Sequence, residues 1–102
     1  MVARVASFEG VNVQVAEQTM GEAEAIIRQL VENLAGYQGE LALLAPSGKF
    51  LSITFFDSDE SAQAAEPTFD EEMPRRLGDL FKDWAGRRVS VDRYEVLSDS
   101  RG

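Results

Sequence analysis

The chain has 102 residues, 44% of them hydrophobic and 27% charged, and it contains neither cysteine nor histidine. This predicts one globular domain and excludes disulfides, thiolate catalysis, histidine-based hydrolysis and the usual zinc and haem ligands. The net charge of −8 argues against binding to nucleic acid or to anionic membranes, which both need basic surface. No apolar run is long enough for a membrane span or a secretory signal, so we expect a cytoplasmic protein.

A strand and a helix are the first predicted elements in chain order. Residues 2–8 form a β-prone run that ends at Glu9 and Gly10. Thr19 and Glu22 have the spacing of a capping box, which predicts that the helix begins there, after a loop over residues 10–18. Apolar residues then recur at helical spacing, namely Ala23, Ile26, Ile27, Leu30, Val31 and Leu34. Gly36 is the predicted helix stop.

Two strands joined by a tight turn follow, over residues 37–45 and 51–57. Pro46 and Gly48 between them favour a hairpin turn. Leu41 and Leu43 point to one face of the first strand, and the residues that alternate with them are also apolar. The second strand shows the same pattern, so this part of the sheet is predicted to be apolar on both faces.

A second helical segment begins after Asp57, where an Asp or Ser side chain can cap its N-terminus. Pro67 and Pro74 interrupt this segment, which predicts two pieces or a kink. Its apolar stripe ends at Trp84, Gly86 is the predicted stop, and residues 88–97 form the last predicted strand. We expect a single domain over residues 1–97 and a disordered tail over residues 98–102.

The order strand, helix, strand, strand, helix, strand predicts an α+β, ferredoxin-like βαββαβ fold. Its antiparallel four-stranded sheet would carry both helices on one face. The opposite face would then expose leucine and phenylalanine side chains over an area larger than a soluble monomer usually tolerates. We therefore expect a homodimer that packs sheet against sheet.

Three segments of the chain resemble a known family. They are the glycine-bracketed turn over residues 36–39, the strand-to-helix junction over residues 52–62, and the closing strand over residues 89–96. Over residues 2–97 the chain resembles the antibiotic-biosynthesis-monooxygenase-like domain of the dimeric α/β-barrel superfamily. The resemblance implies a dimeric barrel with a pocket between sheet and helices. Some members oxidise polycyclic phenols with molecular oxygen and no cofactor, and relatives degrade haem.

The chain departs from the catalytic members at two positions. Phe56 stands where those members typically have Trp, and Ser52 stands where they have Asn; the histidine of the haem-degrading relatives is also missing. These differences favour a non-catalytic binding or structural module for a small apolar ligand, with no cofactor and no metal. The alternative is a cofactor-independent monooxygenase that acts on an aromatic or phenolic molecule. An apolar cavity of several hundred Å³ with convergent polar groups would favour the enzyme.

The candidate ligand-binding residues are Tyr37, Ser52, Phe56, Trp84 and Arg4. Trp84 could stack on an aromatic ligand, although its more ordinary use is as the last anchor of its helix on the sheet. Tyr37 could direct its hydroxyl into a pocket or simply pack at a strand start. Arg4, on an expected edge-like strand, could bind a phenolate or carboxylate, or could pair with Glu95 or Asp92 across strands.

Overall fold

The computed structural model describes residues 1–101 and contains all the predicted strands and helical segments. The strands are β1 (Val2–Glu9), β2 (Tyr37–Leu44), β3 (Phe50–Phe56) and β4 (Arg87–Glu95). The helices are α1 (Val13–Val31), α2 (Asp59–Ala64) and α3 (Met73–Trp84), and a π-helical turn over Thr68–Glu72 lies between α2 and α3. The strand boundaries agree with the predicted ones to within two residues at each end.

The four strands form one antiparallel sheet in the order β2-β3-β1-β4. The helices pack together on one face, over core side chains of β1, β2 and β3. This confirms the predicted ferredoxin-like βαββαβ fold of the protomer. The expectation that Arg4 lies on an edge-like strand was wrong, because β1 is a central strand with β3 and β4 on either side.

Helix α1 begins earlier than the capping-box spacing predicted. Asn12 is the N-cap, and its side-chain oxygen accepts a hydrogen bond from the backbone N–H of Val15 at 3.2 Å. Thr19 lies inside the helix and donates its hydroxyl to the carbonyl of Val15 at 2.8 Å. The Thr19 and Glu22 cap was therefore a wrong prediction. An Asn cap stabilises a helix as well as a Thr cap does, and the valines after Asn12 were ambiguous between strand and helix.

The second helical segment is interrupted, as its two prolines predict. Ser58 caps α2 by accepting a hydrogen bond from the N–H of Ser61 at 3.1 Å. Pro67 precedes the π-helical turn, and Pro74 is the second residue of α3, directly after that turn, where a residue without an N–H interrupts the regular α-helical hydrogen bonds. Helix α3 ends at Ala85, which adopts the left-handed conformation with φ of 61°, one residue before the predicted glycine stop.

Two clusters of side chains fill the layer between sheet and helices. The first, the Phe56 cluster, consists of Val2, Val31, Phe56, Ala62, Ala65 and Phe69. The second, the Trp84 cluster, consists of Val11, Ala16, Ala23, Phe50, Leu77 and Trp84. The small side chains of Ala62 in α2 and of Ala65, its C-cap, let this short helix approach the sheet closely over Phe56, whereas larger side chains separate α3 from the sheet.

The outer face of the sheet, opposite the helices, is apolar. Because strand residues alternate between faces, it is formed by Ala3, Val5, Ser7, Leu51, Ile53, Phe55, Leu41 and Leu43. No helix covers it within residues 1–101. Leu43 is 47% exposed and Tyr94 of β4 is 55% exposed. The outer face that the sequence predicted to be apolar is confirmed, whereas the helix-facing side also carries the polar side chains of Arg4, Thr54 and Glu40.

Residues 96–101 continue beyond β4 without helix or strand. The N–H of Val96 donates to the carbonyl of Met1 at 2.9 Å, and the Arg101 guanidinium lies over the Phe55 ring at 4.4 Å. A disordered tail over residues 98–102 stays a prediction, as does the single domain over residues 1–97, and Gly102 lies outside the described residues. No helix within residues 1–101 has the length and apolar character needed to cross a membrane.

Candidate functional site

A pocket of about 310 Å³ lies between the sheet and the helices. Its floor is a row of small residues across three strands, Ala6, Ser52 and Ala42. One neighbouring row on the same face is large and apolar, namely Phe8, Phe50 and Leu44. The other neighbouring row is polar, namely Arg4, Thr54 and Glu40. The pocket exists because three adjacent strands place small side chains in one row, which leaves space under the helices.

The walls of the pocket are mainly apolar and aromatic. Met20 and Ile27 come from α1, and Phe69, Met73 and Phe81 come from the second helical segment. The opening lies at the edge strand β2, where Ala42 is exposed. An apolar concavity of this size with a few polar groups has the typical character of a small-molecule site.

Arg4 is the most deeply buried charged residue that lines the pocket, with only 2% of its surface exposed. Its Nε donates to Oε1 of Glu66 at 3.1 Å, and its Nη2 donates to Oε2 of the same carboxylate at 3.4 Å. The guanidinium also lies 3.9 Å from the centre of the Phe69 ring. The expected partners Glu95 and Asp92 were therefore wrong, since Arg4 points to the helix side, where Glu66 follows α2.

Trp84 combines the two roles that the sequence left open. It is 4% exposed and packs edge-on against Phe50, with ring centres 5.4 Å apart. Its indole N–H donates to the hydroxyl of Thr19 at 2.8 Å, which ties α3 to α1. It also lines the pocket next to Phe81, whose ring centre is 5.0 Å away. The residue anchors its helix and presents an aromatic surface to the pocket.

The structure brings three of the five predicted site residues together. Arg4, Ser52 and Trp84 all line the pocket. Phe56 is fully buried in the Phe56 cluster, where it packs edge-on against Phe69. Tyr37 packs against the same cluster beyond the polar row, outside the pocket lining.

Two lining carboxylates, Glu24 and Glu40, were missed at the sequence level. Glu40 pairs across the sheet with Thr54 and so lies on the helix-facing side of β2. Burial raises the pKa of Glu40, the nearby Glu24 carboxylate raises it further, and the Arg28 guanidinium partly offsets this. The available signal was strand alternation, because an acidic residue two positions before Ala42 must share its face. Residues 1–101 contain no group of three or more acidic side chains that could hold a metal ion.

No protein-family model matches the sequence, and no curated protein matches it. Solved structures do match the fold. A dimeric ferredoxin-like protein from an uncultured marine organism has a TM-score of 0.72 and 15% identity, over 96% of this chain and 95% of that chain. The haem degrader MhuD from Mycobacterium tuberculosis, with two haems in its active site, has a TM-score of 0.66 and 21% identity, over 97% of this chain and 98% of that chain.

A candidate antibiotic biosynthesis monooxygenase from Deinococcus radiodurans also shares the fold. Its TM-score is 0.63 at 15% identity, over 97% of this chain and 95% of that chain. These likenesses show that the chain has the fold of the antibiotic-biosynthesis-monooxygenase-like domain, which the sequence resemblance predicted.

Proposed function

We propose that this protein is a homodimer that binds a small aromatic molecule in the pocket between its sheet and helices. The pocket of about 310 Å³ carries this proposal. Its size lies at the lower end of the range typical of ligand sites, and its lining is mainly apolar with a few polar groups. The cytoplasmic location expected from the sequence stays part of the proposal.

The aromatic walls favour a flat, ring-containing ligand. Phe50, Phe81 and Trp84 are held at fixed mutual angles by edge-on and tilted contacts, and Trp84 is further fixed by its hydrogen bond to Thr19. Rigid rings lose little conformational entropy when a ligand stacks on them. The small side chains of Ala6 and Ala42 on the floor leave room between the sheet and the helices for such a ligand.

The outer face of the sheet supports the homodimer. Leu41 and Leu43 are 37% and 47% exposed, and they adjoin further apolar side chains of β1 and β3. Contiguous apolar patches of this kind are rare on monomers, and burial of each large side chain stabilises an interface by roughly 1.5–3 kcal/mol. One matched structure is itself a dimeric ferredoxin-like protein.

Native mass spectrometry and analytical ultracentrifugation test the dimer. We expect the wild-type chain to be dimeric at micromolar concentration and the double variant Leu41→Glu/Leu43→Glu to be monomeric. The double variant Gln18→Glu/Ala25→Glu, which also adds two negative charges but at exposed positions of α1, is the matched control and should stay dimeric. A monomeric wild-type chain would contradict the dimer.

A cofactor-independent oxygenase is the second candidate, and the polar groups of the pocket favour it. Arg4, Ser52 and Glu40 adjoin an apolar cavity of several hundred Å³, which is the combination that an oxygenase would need. In such a reaction a phenol and O₂ give a quinone and water. One oxygen atom enters the ring, the other leaves as water, and the phenol supplies all the electrons. A lining group would accept the phenolic proton.

Haem, the ligand of MhuD, does not fit the residues around this pocket. The strong axial ligands of haem iron are imidazole, thiolate and phenolate. The chain has no histidine or cysteine, and Tyr37 packs outside the pocket lining. Only the thioethers of Met20 and Met73 are available as soft donors, so we derive no haem chemistry.

Nuclear magnetic resonance titration tests the binding proposal, because the single tryptophan gives one indole N–H cross-peak at the pocket. We expect naphthalene to shift the Trp84 indole signal of the wild-type protein in a saturable manner. Ala42→Phe places a ring on the floor and should weaken this binding about 10-fold or more. Ala25→Phe, on the exposed side of α1, should bind like the wild type.

Absence of any shift up to the solubility limit of naphthalene would overturn the binding proposal. Oxygen uptake with 1-naphthol, measured with an oxygen electrode, then separates the two candidate functions. Protein-dependent uptake with formation of 1,4-naphthoquinone, abolished by Ala42→Phe, would establish the oxygenase. Binding without uptake would establish the module that binds without turnover.

A further inference from the structure

The charged residues that line the pocket differ in whether they have ionic partners. They are Arg4, Arg88, Glu24 and Glu40. Arg4 pairs with Glu66 at 3.1 Å, Arg88 pairs with Asp70 at 3.0 Å, and Glu24 pairs with Arg28 at 2.6 Å. Glu40 has no ion pair or side-chain hydrogen bond within residues 1–101, and it is half-buried on β2.

The position of Glu40 gives it a direct relation to a bound ligand. It lies in the same cross-strand row as Arg4, with Thr54 between them. Two strand spacings, about 10 Å, separate the backbone of Arg4 from that of Glu40, and the Arg4 guanidinium pairs with Glu66 instead. No buried side-chain oxygen within residues 1–101 lacks a hydrogen-bond partner, so the unpaired oxygens of Glu40 are open to solvent and to the pocket. A ligand donor would replace water on these oxygens and make a charge-assisted hydrogen bond at the edge of an apolar chamber.

We infer that Glu40 is the hydrogen-bond acceptor of the pocket and that it selects aromatic ligands carrying a donor group, such as a phenolic hydroxyl or an aryl ammonium, over aromatic carboxylates. This inference rests on the proposed function, because it requires that the pocket binds a ligand. A donor makes a charge-assisted hydrogen bond to the carboxylate, whereas a second carboxylate is repelled by it. The paired Glu24 has no comparable need for a donor.

The test compares three ligands that share one ring system. Naphthalene has no polar group, 1-naphthol carries a donor, and 1-naphthoate carries an anion. Dissociation constants come from the Trp84 indole cross-peak under anaerobic conditions, which prevent turnover. We expect 1-naphthol to bind about 10-fold more tightly than naphthalene, in line with a hydrogen bond to a charged group, and 1-naphthoate to bind most weakly.

Two amide variants locate the effect. In Glu40→Gln the preference for 1-naphthol over naphthalene should fall about 10-fold, and 1-naphthoate should gain affinity because the repelling charge is gone. In Glu22→Gln, the matched change at an exposed carboxylate of α1 outside the pocket lining, the three affinities should be unchanged. The amide spectrum of each variant reports its fold directly, and the wild-type affinities decide the selectivity even without the variants.

The outcomes separate the two proposals. If none of the three ligands shifts the indole signal, the proposed pocket function is overturned. If naphthalene binds but 1-naphthol gains nothing over it, or if 1-naphthoate binds best, the inference about Glu40 is overturned and the pocket function stands. If the preference for 1-naphthol is undiminished in Glu40→Gln, the selectivity comes from another group and the inference is again overturned.

Discussion

The two clusters between sheet and helices are built from similar residue types but differ in how completely they fill their space. In the Phe56 cluster, Phe56 and Val31 are fully buried, and Ala62 and Ala65 pack against them without leaving exposed surface of more than 2%. In the Trp84 cluster, Phe50 and Trp84 are also buried, yet a cavity of about 310 Å³ adjoins them. The difference arises in the sheet, because the small row that includes Ala6 and Ser52 lies below the cavity. One helical layer therefore supplies stability at one end and a binding chamber at the other.

Phe56→Ala, in the more completely filled cluster, should have the largest effect on the free energy of unfolding. Phe56 has no exposed surface and lies outside the lining of the pocket, so its removal costs both transfer free energy and a new cavity. We expect the free energy of unfolding to fall by about 3–5 kcal/mol, measured by urea denaturation at fixed protein concentration. A loss below about 1 kcal/mol would show that the Phe56 cluster collapses around the deletion and is less rigid than the structure indicates.

Arg4→Met should cause the next largest loss in the free energy of unfolding, because Arg4 lies where the Phe56 cluster meets the pocket. The change leaves the Glu66 carboxylate without its partner, and we expect a loss of about 1–3 kcal/mol. Replacing both residues, as Arg4→Met/Glu66→Leu, should restore part of this loss, since a half-removed ion pair is worse than none. Losses that simply add in the double variant would show that the two side chains are not coupled.

Phe81→Ala tests the part of the helical layer that borders the cavity. It should lower the free energy of unfolding less than Phe56→Ala does. Phe81 is half-buried and already borders the cavity, so its deletion enlarges an existing space instead of creating a new one. We expect a loss of about 1–2 kcal/mol in the same denaturation experiment. An effect as large as that of Phe56→Ala would remove the proposed difference between the two clusters.

Glu40→Gln should have the smallest effect on stability, and the effect should be favourable. The pKa of Glu40 is raised above its ordinary value of 4.5 by burial and by Glu24, so the folded state holds this proton more tightly than the unfolded state does. The stability linked to this proton is present below the ordinary pKa and is lost as pH rises through the raised pKa. Removing the charge should therefore raise Tm by about 1–3 °C at pH 7 and have no effect near pH 3.

Glu22→Gln is the control for this last experiment, since Glu22 is exposed on the same helix as Glu24. Its Tm should stay within error of the wild type at both pH values. A lower Tm for Glu40→Gln at pH 7 would mean that the ionised carboxylate stabilises the fold.

The sequence predicted the fold well because the signals for it are local. Alternation and turn residues marked every strand, and the two prolines indicated the interruption before α3. The start of α1 was missed because an Asn cap and a Thr capping box are both good local solutions, and only tertiary contacts decide between them. Thr19 is instead used to hold the indole of Trp84.

The candidate site was predicted less completely, because a pocket depends on register between strands. Nothing local places Ala6, Ser52 and Ala42 in one row; that follows from how β1 and β2 pair with β3. The same strand pairing places Glu40 in the row of Arg4. No local sequence pattern indicates which residues of different strands share a row. Arg4 and Trp84 were found because an arginine with apolar neighbours on a strand and the single tryptophan are conspicuous in the sequence, whereas the partner Glu66 depends on the path of the chain after α2.

The π-helical turn over Thr68–Glu72 holds one residue more than an α turn does. Each α-helical residue rotates the following segment by about 100°, so a residue added within α3 would turn the side chains beyond it, Trp84 among them, away from Phe50. At the π turn the additional residue is instead absorbed locally, and deletion of the exposed Asp70 would give an α turn that leaves the orientation of α3 unchanged. Chains of this fold could therefore gain or lose one residue at this turn while the side chains above the sheet keep their positions.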